Sequence, residues 1–197
     1  MAEVSENAGG VKQSVMERAL ELAARGLGKT SPNPMVGAVL VQGERLIIGE
    51  GWHQKAGEPH AEILAMEDAL NGGHTLAGST LYVTMEPCST HGRTGPCVEA
   101  IMKAGITRVV CATADPNPKH QGKGFDILRQ AGVEVVTGVL EKASRDLNRA
   151  FNHWIVHKTP LVTLKSAMSL DGKIATASGE SRWITGAEAR AHAMQFR

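Results

Sequence analysis

Apolar residues recur along this chain with two alternating periods, three-to-four and two, and the switches between them divide it into helices and strands. From Ser14 to Leu27, Val15, Ala19, Leu22, Ala23 and Leu27 share one helical face, and the glycines at 26 and 28 end it before the turn-forming run "TSPNP". Val36–Val41 and Arg45–Glu50 read as two short strands joined through Gln42-Gly43-Glu44. From His60 onward Ile63, Leu64, Met66, Ala69 and Leu70 restore the helical spacing until Asn71-Gly72-Gly73 stops it. The alternation continues with strand Thr80–Thr84, helix Cys97–Gly105, strand Arg108–Thr113, helix Phe125–Gly132 and strand Val133–Val136. A longer helix, Glu141 to about Lys158, carries Leu147, Ala150, Phe151, Trp154 and Ile155 toward a core. Beyond Pro160 the pattern predicts a new strand, and the chain closes in a helix reaching Arg197.

Strands alternating with helices of this length predict a three-layer α/β domain. The expected division is a flexible N-terminus over 1–13, the α/β domain over 14–146, a connecting helix over 147–159 and the incomplete start of a second domain over 160–197. The 37 residues from Leu161 to Arg197 are too few for an independent core, which needs upwards of about 100.

Composition narrows the classes. The chain is 42% hydrophobic and 21% charged with a net charge of +1, an ordinary globular balance without the basic stripe that a nucleic-acid surface needs. No run approaches the roughly 18 apolar residues of a membrane span, and "MAEVSENAGGVKQ" holds no signal-like apolar core. A soluble cytoplasmic protein with no nucleic-acid or membrane partner is expected. Cys88, Cys97 and Cys111 make an odd count, which favours thiols or metal ligands over a disulfide framework.

The chemistry gathers around "PHAE" (Pro59–Glu62) and "EPCSTHGRTGPC" (Glu86–Cys97). Two residues apart in mid-helix, His60 and Glu62 would point away from each other; at a first turn, opened by Pro59, both can face the helix mouth. Taken alone they read equally as a solvated His and an acidic first-turn residue. Cys88 and Cys97 change that reading, because each follows a proline near a helix or turn start, where a thiol ionises readily. One nitrogen and two sulfurs suit Zn²⁺, and three protein ligands leave a fourth position for water. Zinc lowers a bound water's pKa from about 16 to near 7, and Glu62 beside it would carry protons to a leaving nitrogen. The order H-x-E, P-C, P-C is that of hydrolytic zinc deaminases.

These residues resemble the cytidine deaminase-like superfamily, and the eight residues between the cysteines resemble its riboflavin biosynthesis branch rather than the two-residue spacing of tRNA adenosine and deoxycytidylate deaminases. "SPNPMVGAVLV", "GEGWHQKAGEPHAE", "DPNPKHQGKG" and "LKSAMSLDGKIATASGESRWITG" extend the resemblance over nearly the whole chain from about residue 14. It implies a mixed-sheet α/β/α deaminase fold followed by the start of a dihydrofolate reductase-like α/β domain. It also implies deamination of a diaminopyrimidinone ribosylamino phosphate, a small-molecule substrate, with zinc on His60, Cys88 and Cys97 and Glu62 as proton shuttle. Homo-oligomerisation is left open.

By the same resemblance Asn33 and His53 line the pyrimidine pocket, although local sequence reads Asn33 equally as a turn residue and His53 as a structural histidine. Arg93 suits a substrate phosphate, or else a solvated loop. The family usually carries His two residues after the first cysteine; this chain has Thr90 there and His91 next. Cys111 reads as a core residue, and Met85 and Trp154 as packing. In the second domain the resemblance implies NADPH contacts near Ala167 and at Trp183, and reductase substrate contacts at Lys165, Asp171, Ser181 and Arg197. NADPH is expected only where that domain is completed. The competing readings are a nucleoside or tRNA deaminase and a zinc-stabilised binding module without chemistry.

Overall fold

The computed structural model describes residues 3–90, 95–118 and 120–194, with side chains from Gln13 onward. Compact units span Met1–Pro160 and Leu161–Arg197.

The first unit is built on a five-stranded sheet in the order β2-β1-β3-β4-β5. Its strands are β1 (Gly37–Gln42), β2 (Leu46–Trp52), β3 (Thr80–Met85), β4 (Arg108–Thr113) and β5 (Glu134–Thr137). β1 runs antiparallel to β2 and β3, whereas β3, β4 and β5 are mutually parallel. The sheet is therefore mixed, as expected.

The two-residue period sorts side chains between two cores. Ala38, Leu40, Leu81, Val83, Val109 and Cys111 face one side, where they meet α2 (Ala61–Asn71), α3 (Cys97–Lys103) and α4 (Lys123–Gln130). Val39, Val41, Tyr82, Val110 and Ala112 face the other and meet Val15, Met16, Ala19 and Leu22 of α1 (Glu3–Ala24). Each fully buried Leu or Ile contributes roughly 1.5–3 kcal/mol, so these two layers dominate the stability of the unit.

The sheet admits α2 unusually closely. A Cβ on Gly49 would stand 2.2 Å from the Ala65 carbonyl oxygen, and one on Gly51 would stand 2.5 Å from that of Ala61. Opposite them α2 presents Ala61, Ala65 and Ala69, all fully buried. Glycine against alanine thus lets the helix backbone rest on the strand.

Three expectations are corrected. The first helix, expected from Ser14, begins at Glu3; propagation adds one hydrogen bond per residue once Val15–Leu22 is docked, without needing an apolar period of its own. The single helix Glu141–Lys158 is two, α5 (Glu141–Leu147) and α6 (Arg149–His157), broken at Asn148. No strand forms after Pro160 among the described residues.

The second unit is open. Its only helix among the described residues is α7 (Ala187–Met194), Trp183 stacks against the Arg190 guanidinium at 4.1 Å, and Ser169 caps a turn by donating its N–H to the Lys173 carbonyl. Val162 and Leu164 are 84% and 90% exposed. A strand needs a partner for its backbone groups, and the described residues supply none here. No helix among the described residues is long and apolar enough to cross a membrane.

Candidate active site

Two helix N-termini and one strand exit converge in the first unit. His60 stands immediately before α2 in extended backbone (φ −75°, ψ 162°), and its side chain makes no capping bond to the helix. Cys97 opens α3 after Pro96, and Cys88 follows β3 through Pro87. His60 Nδ1 lies 3.2 Å from Cys97 Sγ and 3.5 Å from Cys88 Sγ, and the Cys97 N–H donates to Cys88 Sγ at 3.2 Å. All three side-chain atoms fall within 4.8 Å of one another and could hold a metal ion. The backbone order explains the convergence: helix N-termini carry unpaired N–H groups and positive potential, which favour thiolates.

Glu62, 3% exposed, lies in the first turn of α2, and burial pushes its carboxyl pKa up while the His60 ring opposes that shift. The Cys97 thiol and then the His60 ring hold Cys88 down at about 4, against burial. Cys97 is pushed up instead, first by its bond to Cys88, then by burial and by Glu62. The site accepts one thiolate readily, and a second beside Glu62 only with added positive charge. His60 is raised by its bond to Cys88.

A cleft of about 330 Å³ opens onto these groups. On one wall Asn33 Nδ2 lies 3.0 Å from His53 Nε2, and His53 Nδ1 lies 3.2 Å from the Pro59 carbonyl oxygen. A carbonyl only accepts, so neutral His53 carries its proton on Nδ1 and receives the Asn33 amide N–H at Nε2. Burial lowers the His53 pKa, which favours that neutral form. The structure thus puts both predicted residues at the cleft, with both ring nitrogens of His53 engaged within the chain.

Sequence reasoning missed one stretch of the cleft lining. Asp115, Asn117 and His120 form it, in the loop after β4. Glu86 holds that loop: its buried carboxylate accepts N–H bonds from Asp115 (3.1 Å), Gly122 (2.9 Å) and Gly124 (2.9 Å). The available signal was position, since a stiff "DPNP" turn follows a parallel strand at the end where such sheets place their sites. Met85 and Trp154, expected to be packing residues, also line the cleft, together with Phe151 and Ile155. No α6 side chain is fully buried, and Trp154 is 46% exposed; an amphipathic pattern marks an apolar face without saying whether it meets a core or a cleft.

The remaining predicted residues divide. Thr90 is exposed and does not line the cleft, and His91 and Arg93 lie outside the described residues. In the second unit Asp171, Ser181 and Trp183 line one hollow of about 520 Å³, which Lys165 and Ala167 do not reach. Arg197 lies outside the described residues. Cys111 is fully buried, and burial raises its pKa well above the ordinary thiol value.

The fold and the His/Cys/Cys arrangement are those of a zinc-binding deaminase: the family model for the cytidine and deoxycytidylate deaminase zinc-binding region matches residues 10–113, and the chain belongs to that family. The model of the RibD C-terminal domain matches residues 160–197. Within the family the chain is similar to riboflavin biosynthesis protein RibD. It is 51% identical to that of Aquifex aeolicus over 180 residues, 91% of this chain and 49% of the relative. To that of Escherichia coli it is 50% identical over 176 residues, 89% of this chain and 47% of the relative. The crystal structure of a Thermotoga maritima diaminohydroxyphosphoribosylaminopyrimidine deaminase/5-amino-6-(5-phosphoribosylamino)uracil reductase matches with a TM-score of 0.88 at 46% identity, covering 94% of this chain and 53% of that one. The chain spans about half the length of these relatives.

Proposed function

We propose that the first unit is a zinc-dependent hydrolytic deaminase of riboflavin biosynthesis, acting in the cytoplasm. It would convert 2,5-diamino-6-(5-phosphoribosylamino)pyrimidin-4(3H)-one and water to 5-amino-6-(5-phosphoribosylamino)uracil and ammonia. The observation that carries the reading is a buried Glu62 lining one cleft with His60 and Cys88, whose side-chain ligand atoms group with that of Cys97.

His60, Cys88 and Cys97 would hold the zinc. Tetrahedral zinc with ordinary Zn–N and Zn–S lengths sets N-to-S ligand edges of about 3.6 Å, and the two N-to-S separations here are 3.2 and 3.5 Å. The donor set, and a pair of thiols that needs positive charge for full ionisation, suit the same ion. When bound, the metal supplies a Lewis acid that makes water nucleophilic at neutral pH.

The chain's own residues do the rest. The Glu62 carboxylate takes a proton from the attacking water and passes it to the adjacent ring nitrogen as the C–O bond forms. It then moves the proton of the added hydroxyl to the amino nitrogen, so the C–N bond breaks as ammonia leaves and a carbonyl remains beside a ring N–H. Its raised pKa, caused by burial, brings acid and base forms closer to the working pH. Asn33, with one N–H committed to His53, turns its carbonyl oxygen and second N–H to the ring edge. Phe151, Trp154 and Ile155 shield the ring from water on the α6 side. Thr90, His91 and Arg93 are proposed on the phosphate side, where a guanidinium suits a phosphate.

For the second unit, Ala167 and Trp183 are proposed as NADPH contacts and Lys165, Asp171, Ser181 and Arg197 as reductase substrate contacts. The 197-residue chain by itself is expected not to oxidise NADPH. The deciding experiment is zinc analysis with ammonia release from the pyrimidinone phosphate, for wild type and Glu62→Gln side by side. Zinc in both with ammonia from wild type alone supports the reading, and undiminished release by Glu62→Gln overturns it.

A further inference from the structure

The break between α5 and α6 falls on a single buried amide. Asn148 is 2% exposed, with φ −102° and ψ 21°, outside the helical region. Its Oδ1 accepts the Met35 N–H at 2.8 Å, and its Nδ2 donates to the Met35 carbonyl at 2.8 Å, across 113 residues of sequence. Met35 thereby receives from a side chain the bond pair that a neighbouring strand would give it.

Neither Met35 nor Asn148 lines the cleft, but each lies close in the chain to residues that do. Met35 lies two residues beyond Asn33, in a loop otherwise tied by the Asn33 N–H to the Thr30 carbonyl (2.8 Å) and by Asn33 to His53. The Asn148 carbonyl accepts the Asn152 N–H at 2.8 Å and so starts α6, the helix that carries Phe151, Trp154 and Ile155. One residue thus ties the start of the apolar α6 wall to the loop that carries Asn33.

We propose that Asn148 is a positioning residue that holds Asn33 at a set distance from the α6 wall and so fixes the width of the slot a substrate ring must enter. The clamp stands on its own hydrogen bonds; that a pyrimidine fills the slot rests on the deaminase reading. Asparagine is the residue that fits. Aspartate keeps the acceptor for Met35 N–H but sets a carboxylate oxygen against the Met35 carbonyl, alanine leaves both Met35 groups unpaired, and glutamine is one methylene too long.

The test uses the zinc-loaded 197-residue chain as wild type, N148A, N148D, N33A and N33A/N148A, with amide exchange followed by mass spectrometry and steady-state ammonia release. Exchange over residues 30–36 is expected to quicken about tenfold or more in N148A and N148D while β1, β3 and β4 stay at wild-type rates. KM is expected to rise about tenfold with kcat within about threefold and zinc content unchanged, and on the N33A background the added KM effect shrinks below about twofold. Unchanged exchange over 30–36, exchange quickened evenly through the sheet, or KM effects that multiply would each overturn the proposal. N148D decides alone where N148A does not fold. If wild type releases no ammonia, the deaminase reading falls and the exchange result by itself decides the clamp.

Discussion

Leu40 and Leu164 both lie in apolar-rich stretches that read as strands, yet Leu40 is fully buried and Leu164 is 90% exposed. Around Leu40 the strand finds a neighbour on either side, β2 and β3, and helices on both faces. Around Leu164 the described residues offer neither, and the backbone stays irregular. Both units are dense in recognisable motifs. The difference teaches that a strand pattern states a demand for neighbours, and only the first unit contains the residues that meet it.

If the first unit carries its chemistry alone, the largest effect belongs to Glu62. Glu62→Gln should lower kcat for ammonia release by about 10³-fold or more while zinc content holds, since removal of general acid–base transfer costs about 10² to 10⁴. Next comes the glycine-alanine contact that seats α2. Gly51→Val should destabilise the unit by about 3 kcal/mol, or prevent folding, because its branched side chain meets α2 backbone; a urea melt with an unshifted midpoint would remove close packing from the account.

A smaller effect probes the edge of the same unit. Arg18 makes a two-pronged bond to Glu50 (Nε to Oε1 2.8 Å, Nη2 to Oε2 2.9 Å), and it holds the Glu50 carboxyl below its ordinary 4.5. A depressed carboxyl pKa stabilises the fold above the unfolded value and loses that contribution as pH falls through the folded value. Glu50→Gln should therefore cost about 0.5–1 kcal/mol at pH 7 and nearly nothing well below pH 4. Stability measured at both values checks the sign. The smallest effect sharpens the comparison most: removing Leu161–Arg197 should leave the melting midpoint of the first unit and its ammonia release unchanged within about 0.5 kcal/mol. A larger loss would mean that the exposed segment supports the packed one.

What could be read from the sequence follows the same division. His60, Glu62, Cys88 and Cys97 were legible because metal ligation and proton transfer restrict residue type and spacing together. The strands Thr80–Met85 and Arg108–Thr113 were legible because each alternates or runs apolar between clear breakers. Asn148 was not, since its helix is interrupted by a contact 113 residues away, and an Asn within a helical period carries no local mark of that. Phe151 and Trp154 were read as core because periodicity identifies an apolar face and not its occupant. Asp115 and His120 escaped because a loop's residues acquire their place from what grips the loop.

That grip has a practical meaning. Glu86 stands two residues before Cys88 and receives three backbone N–H groups from the segment 115–124. None of those bonds depends on the side chains of Asp115, Asn117 or His120, so the segment behaves as a cassette in a socket that recognises only main chain. Its glycines must remain, since a Cβ on Gly124 would stand 2.4 Å from the Pro87 carbonyl oxygen. One of the cleft-facing letters also serves the loop itself, since Asp115 Oδ1 accepts the Asn117 N–H at 2.8 Å. Selectivity there can be redesigned at His120 while the Glu86 bonds and the Asp115 turn hold the main chain in place.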